Sequence, residues 1–241
     1  MSIWAILSGI EGNLIAYEAV LADIKRQTPK VTDLFILGDV INANPASGKV
    51  IERIQQPRSG ELVAQVCKGW WEEQLLMLHG YVQPIEPNPL MEKYGAATAK
   101  QLWDSIPKET VEWISNLDFG FMELDCLLTH GSSINVLEEL TPQSSPLQLF
   151  DRVMRTQANR LFCGRSGQTF RYHIKDGSVS STVITLDGIQ PSQSEEVSDR
   201  YIIGVGNVGR NPNVSTYTLY SPNTDKLQFK TVRYGSGKGF N

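Results

Sequence analysis

An α/β fold with a largely antiparallel C-terminal third is predicted by three features of this 241-residue chain. Short apolar runs alternate with amphipathic segments over the first two thirds, which is the signature of strands separated by helices. The first such unit, "AILSGIEGN" followed by "NLIAYEAVLADIKR", reads as strand, tight loop and helix. After Gly167 the pattern changes to "TFRYHI", "SVSSTVITL", "RYIIGVG", "STYTLYS" and "LQFKTVRY", strands joined by turns.

The strands of the first part are expected at Ile3–Leu7, Leu34–Leu37, Leu62–Val66, Cys126–Thr129 and Leu161–Cys163. Asn13 is a suitable cap for a helix over Asn13–Arg26, with Leu14, Tyr17, Leu21 and Ile24 on one face. Further helices are expected at Lys49–Gln55, Trp70–Leu78, Gly95–Ser105, Lys108–Asn116 and Leu147–Ala158. "SPNTDK", 221–226, reads as a hairpin connection, and the polar "QPSQSEEVSD", 190–199, as a mobile surface loop. No repeat or linker divides the chain, so 1–241 is expected to be one domain with a frayed tail at 235–241. That tail, "GSGKGFN", resembles a phosphate loop only superficially, because Gly239 follows Lys238 where Ser or Thr is needed.

Composition narrows the function. Net charge is −4, and no long block of Lys and Arg appears, which argues against nucleic-acid binding through a broad basic face. No apolar run is long enough to span a bilayer, and the N-terminus lacks a basic start and a signal-type apolar core. A cytoplasmic protein without membrane partners is expected. Cys67, Cys126 and Cys163 have no C-x-x-C spacing and lie in or beside apolar runs, so they read as buried free thiols.

Three loops that follow strands carry the chemistry. "LSGIEGN" begins at Leu7, "LGDVINANP" places Asp39 after a strand and a glycine, and "LLTHGSS" repeats that geometry with His130. Together they resemble the calcineurin-like metallophosphoesterases, in particular the small bacterial branch with "SDIHGNLxALEAVL" and "GDVVGYGPNP". "YGAATAKQLWDSIPKETVEWISNL" resembles the family's paired helices. "GVGNVGR…STYTLYSPNTDKLQFKTVRY" resembles its closing "NPGSVGQP…ASYAxxD…F.RVxY" segment. The resemblance spans nearly the whole chain and implies a four-layer αββα sandwich. It also implies a dinuclear metal centre at the strand ends, which clamps a phosphoryl oxygen and activates a bridging water.

Placed on that pattern, this chain departs from it at most ligand positions. Gly9 and Glu11 stand where the family has Asp and His. "GWWE", 69–72, aligns with "GNHD", putting Trp70 at the ligand Asn and Trp71 at the catalytic His. "GRSG", 164–167, aligns with "GHTH", putting Arg165 and Gly167 at two ligand histidines. Asp39 and His130 keep the family residue, and Asn13 keeps its place after the first loop. Asp39, His130 and Glu11 are the weak metal candidates, and two or three ligands make a poor site. No metal is therefore expected; Mn, Fe or Zn is the class if one binds.

Losing the cations would leave Asp39 and Glu11 without counter-charge, which is costly for buried carboxylates. Arg165 is expected to pair with Asp39, Glu11 or both, and Trp70 and Trp71 to fill the vacated volume. Each residue also has a plainer reading. Asp39 serves as a loop carboxylate accepting backbone N–H groups, and His130 as a hydrogen-bonded core histidine. Glu72 and Glu73 read as a solvated face or helix-start charge, Trp103 and Trp113 as core, and His79 and His173 as incidental. Adjacent tryptophans cannot share one helical face, so Trp70 or Trp71 would line the cleft or an interface. A non-catalytic protein that binds a phosphate-bearing ligand or another protein, or that self-associates, is the expected function. A metal-dependent phosphoesterase with an altered site, and a scaffold with a filled cleft, remain open.

Overall fold

The computed structural model describes residues 2–175, 177–181, 184–185, 188–189, 193–197 and 199–235. Strands β1 (Trp4–Leu7), β2 (Asp33–Leu37) and β3 (Ala64–Cys67) run parallel. Helices α1 (Leu14–Arg26) and α2 (Ser47–Gln55) connect them. Then come α3 (Trp70–Leu78), α4 (Pro89–Ser105), α5 (Lys108–Ser115), the β4–β5 hairpin (Gly120–Glu123 and Cys126–Thr129) and α6 (Pro146–Met154). Next are β6 (Arg160–Cys163), β7 (Thr169–Ile174), β8 (Gly177–Ser181), β9 (Ile184–Thr185), β10 (Gly188–Ile189) and β11 (Gln193–Val197). The last strands are β12 (Arg200–Val205), β13 (Val214–Ser221) and β14 (Lys226–Arg233).

Two five-stranded mixed sheets result, ordered β14-β13-β1-β2-β3 and β4-β5-β6-β12-β7, with small ribbons β8–β11 and β9–β10 beside them. Side chains alternate across each strand, so β1 sends Trp4 and Ile6 one way and Ala5 and Leu7 the other. The first pair joins Phe35, Leu37, Leu128, Phe162, Ile203, Val205 and Tyr220 in a core between the sheets. Trp4 meets Phe35 edge-on at 5.4 Å. The second pair packs against α1 to α5, and α6 covers the far side of the other sheet through Leu149 and Val153. The layers are therefore helix, sheet, sheet, helix. All three cysteines are buried free thiols, as the sequence suggests.

Local signals explain the element ends. The Asn13 side chain accepts the Ala16 N–H at 3.1 Å and caps α1, whose last turn carries Lys25 and Arg26 at the negative end of the dipole. The buried face of α1 is Ala16, Tyr17, Val20 and Ile24, rotated slightly from the expected one, and Leu14 and Leu21 are half-buried. α4 begins earlier than expected because Asn88 caps it and Pro89 opens it; it bends at Gly95, whose φ is +81°. Ser221 and Lys226 end the antiparallel β13–β14 pair, so 221–226 is a hairpin connection.

Residues 193–197, expected within a loop, form β11 paired with β8, whereas 190–192 and 198 lie outside the described residues. So do 236–241 of the expected tail. Trp103, expected in the core, is 46% exposed and stacks on His79 at 3.8 Å, while Trp113 is half-buried against the core. Among the described residues no helix is long and apolar enough to cross a membrane.

The inter-sheet core sets the separation of the two sheets and hence of the loops at their ends. Phe35→Ala empties a fully buried site there and should cost about 3–5 kcal/mol of unfolding free energy. Urea unfolding monitored by circular dichroism measures that loss.

Candidate functional site

The loops at the carboxyl ends of the inner strands converge on one spot. Gly9, Glu11 and Gly12 donate their N–H groups to the carbonyls of Gly38, Asp39 and Val40, zipping the β1 loop to the β2 loop. Val208 and Gly209 donate to Ser8 and Gly9, bringing in the loop after β12. Gly164 and Arg165 donate to the His130 carbonyl, joining the loops after β5 and β6. Glu11 and Asp39 both have φ of +51°, a left-handed conformation that non-glycine residues adopt reluctantly.

Asp39 lies at the centre and is fully buried. Its Oδ1 accepts the Trp71 N–H at 2.9 Å, and its Oδ2 accepts from Arg210 Nη2 at 2.8 Å. Arg210 Nε also donates to Glu11 Oε1 at 2.5 Å, and Nη1 to the Arg165 carbonyl at 2.8 Å. One guanidinium thus bridges both carboxylates. Burial opposes ionisation of Asp39, but His130, Arg210 and Arg165 together outweigh it and hold its carboxyl well below the usual range. Burial dominates at Glu11 and raises its pKa despite Arg210. Desolvation lowers the pKa of Arg210, but the two carboxylates reverse this and raise it.

Arg165 was expected to pair with Asp39, Glu11 or both; among the described residues it forms a long ion pair with Asp39 only, without a hydrogen bond. Arg165 Nη1 is 3.8 Å from Asp39 Oδ2, while its guanidinium lies over the Trp70 ring at 4.8 Å. The shorter hydrogen bonds belong to Arg210, which sequence reasoning missed. A signal was present: "GNVGR", 206–210, carries Arg where the resembling "GSVGQ" pattern carries Gln.

Gly9 and Gly167 explain how Arg210 fits. A Cβ at Gly9 would meet Arg210 Nε at 3.1 Å, and one at Gly167 would meet Arg210 Nη1 at 2.7 Å. Both positions have positive φ. The absence of a side chain at Gly9 and Gly167, where the resembling motifs carry ligands, leaves the space that the guanidinium fills.

The remaining residues frame this cluster. His130 is fully buried, its Nδ1 2.7 Å from the Leu37 carbonyl. A carbonyl only accepts, so Nδ1 donates to it, and Nε2 lies 3.3 Å from Asp39 Oδ2. Asn13 stays at the periphery, capping α1 and donating to Tyr234. Trp70 and Trp71 are both buried, edge-to-face at 4.9 Å, so neither forms an exposed interface.

Glu72 is not on a solvated face. It is 1% exposed, and its carboxylate accepts the N–H groups of Asp39, Val40, Ile41 and Gly69 at 2.8, 2.8, 3.0 and 2.8 Å. It clamps the loop that carries Asp39. Burial, reinforced by the Asp39 charge, pushes it up to about 7. Glu73 is only half-buried. His173 has a partner in Asp199 at 3.0 Å.

Solved structures resemble this chain over almost its full length. The metallophosphoesterase from Sphaerobacter thermophilus superposes with a TM-score of 0.65 and 19% identity, covering 97% of this chain and 89% of its own. The chain has the metallophosphoesterase fold. A hypothetical protein from Pyrococcus horikoshii OT3 is similar to it at a TM-score of 0.69 and 19% identity, covering 98% and 90%. No protein-family model and no curated protein matches the sequence. At these identities the likeness speaks for the metallophosphoesterase fold and not for its chemistry.

A metallophosphoesterase centre needs divalent cations, and the donor set here does not suit one. The Asp39 and Glu11 carboxylates are engaged by a permanent cation, and Trp70, Trp71 and Arg165 stand where the resembling motifs carry ligands. Among the described residues no group of three or more His, Cys, Asp or Glu is placed to hold a metal.

Arg210→Met should lower stability at neutral pH by about 3–5 kcal/mol, because it leaves Asp39 buried without its main hydrogen-bonded cation. The pH dependence has a defined sign. Asp39 binds fewer protons folded than unfolded, so its stabilisation is complete above its ordinary value of 3.8 and is lost as pH falls below it. Removing Arg210 raises the folded value, so the variant should unfold in acid at a higher pH than the wild type. Denaturation midpoints measured across a pH series check both effects.

Proposed function

We propose that this chain is a non-catalytic protein on the metallophosphoesterase fold, a pseudoenzyme whose remodelled cleft binds a phosphate-bearing small ligand or a protein partner. The observation that carries this reading is the Arg210 guanidinium between Asp39 and Glu11. Dimetal hydrolysis needs a cation that binds water and lowers its pKa, and a second contact that stabilises the leaving oxygen. A guanidinium neutralises carboxylates but has no vacant coordination position and does not release a proton near neutral pH. Trp71, where the resembling pattern has its catalytic histidine, has an indole N–H that cannot serve as a general acid at neutral pH. His130 is fully buried, with its two ring nitrogens directed at the Leu37 carbonyl and at Asp39. The cluster is thus suited to charge neutralisation rather than to water activation.

The test is metal content together with hydrolysis. After incubation with manganese, zinc or iron and desalting, elemental analysis should find well under one ion per chain. Turnover of bis(p-nitrophenyl) phosphate should stay at the level of buffer containing the same metal. About two retained ions per chain with turnover above that level would instead establish a metal-dependent phosphoesterase with an altered site.

A further inference from the structure

We propose that Arg165 anchors a binding site for a small oxyanion, a carboxylate or phosphate group, at the edge of the remodelled cleft. This rests on the reading of the cleft as a binding site without hydrolysis. The motivating observation is a covered arginine whose guanidinium makes no hydrogen bond among the described residues.

Arg165 follows β6 in a turn closed by the Gly167 N–H on the Gly164 carbonyl at 3.0 Å. Its backbone is fully used: the N–H donates to His130 at 2.7 Å, and the carbonyl accepts from Arg210 at 2.8 Å. The side chain is also covered, 11% exposed with its guanidinium 4.8 Å from the Trp70 ring centre. Yet among the described residues that guanidinium makes no hydrogen bond, and its Nε is buried without a partner. The nearest carboxylate, Asp39, is 3.8 Å away and already accepts from Trp71 and Arg210.

Other covered arginines behave differently. Arg53, also 11% exposed, bonds Glu18 and Glu61. Arg160, at 17%, bonds Asp125 and Asp225, and Arg152, at 19%, bonds Glu138 and Asp151. Hydrogen bonds to ionised groups are the strong ones, so a covered guanidinium without any acceptor is an unmet demand. The Trp70 ring covers the guanidinium at 4.8 Å, and a guanidinium can receive a planar or tetrahedral oxyanion through two parallel N–H groups. Lys93 Nζ lies 5.8 Å from the Trp70 ring and 5.3 Å from the Tyr94 ring. Tyr94 is 42% exposed, so this aromatic and cationic rim reaches solvent. Arg210, by contrast, has its donors occupied by Glu11, Asp39 and the Arg165 carbonyl.

Titration of the intact protein with sodium phosphate and, separately, sodium acetate, each against chloride at matched ionic strength, tests the site. Tryptophan fluorescence and calorimetry follow binding in the presence and absence of EDTA. Saturable binding that EDTA leaves unchanged and that weakens at least tenfold in Arg165→Met is the expected result. Arg165→Lys, which keeps the charge without the fork, should weaken it several-fold and serves if the methionine variant does not fold. Saturation by phosphate alone identifies a phosphate group as the ligand chemistry, and saturation by acetate alone a carboxylate. No saturable binding of either anion, or equal binding by the Arg165 variants, overturns the proposal while leaving the non-catalytic reading intact. Binding abolished by EDTA overturns both, because a metal would then hold the anion.

Discussion

The Asp39 carboxylate sits out of contact with solvent at the junction of two sheets, and the surrounding structure supplies its positive charge from within the chain. An isolated charge in that position is not tolerable; it must be paired and hydrogen-bonded or become protonated. Arg210 provides the pairing, reaching from the loop after β12 to a residue 171 positions earlier in the sequence. The loops after β1, β2, β6 and β12 all depend on that contact. Glu11 shares the guanidinium, the Arg165 carbonyl supports it, and Gly9 and Gly167 leave it room. A buried ion pair of this kind is weak evidence of net stability compared with a well-packed apolar alternative, but losing one partner is severe.

A second carboxyl group organises the same region. Glu72, at the start of α3, gathers four backbone N–H groups from the Asp39 loop and its own helix start. It does locally what a bound anion does at a helix N-terminus, and it fixes the left-handed backbone that presents Asp39. The close approach of Gly38 and Gly69 makes this possible: a Cβ on Gly69 would lie 2.1 Å from the Asp39 nitrogen. Positioning of the site therefore comes from backbone packing and Glu72, and neutralisation comes from Arg210. With the two tasks separated in this way, the loops hold their arrangement around a guanidinium.

Much of this was legible in the sequence. Strands such as Cys126–Thr129 and helices such as Trp70–Leu78 are bounded as their apolar patterns indicate, because burial on one face imposes a period that survives in the residues. The substituted positions Gly9, Trp70, Trp71, Arg165 and Gly167 were visible against the resembling motifs. Arg210 was not recognised, since its partners lie about 170 and 199 residues away and nothing local marks a loop arginine as buried. Two adjacent glutamates near a helix start read as a solvated face or a helix-start charge; Glu72 is the second, accepting the Gly69 N–H, and its burial is decided by a loop that packs over it. Trp103 failed in the other direction: apolar spacing placed it in the core, while packing left it outside, stacked on His79.

Diffraction from crystals of the intact protein soaked in manganese, with data collected for the anomalous signal of that metal, would test the central claim most directly. The account predicts Arg210 bonded to both Asp39 and Glu11, with no anomalous peak beside Asp39 or His130. A peak coordinated by Asp39 and His130, with the Arg210 guanidinium displaced from the two carboxylates, would contradict it.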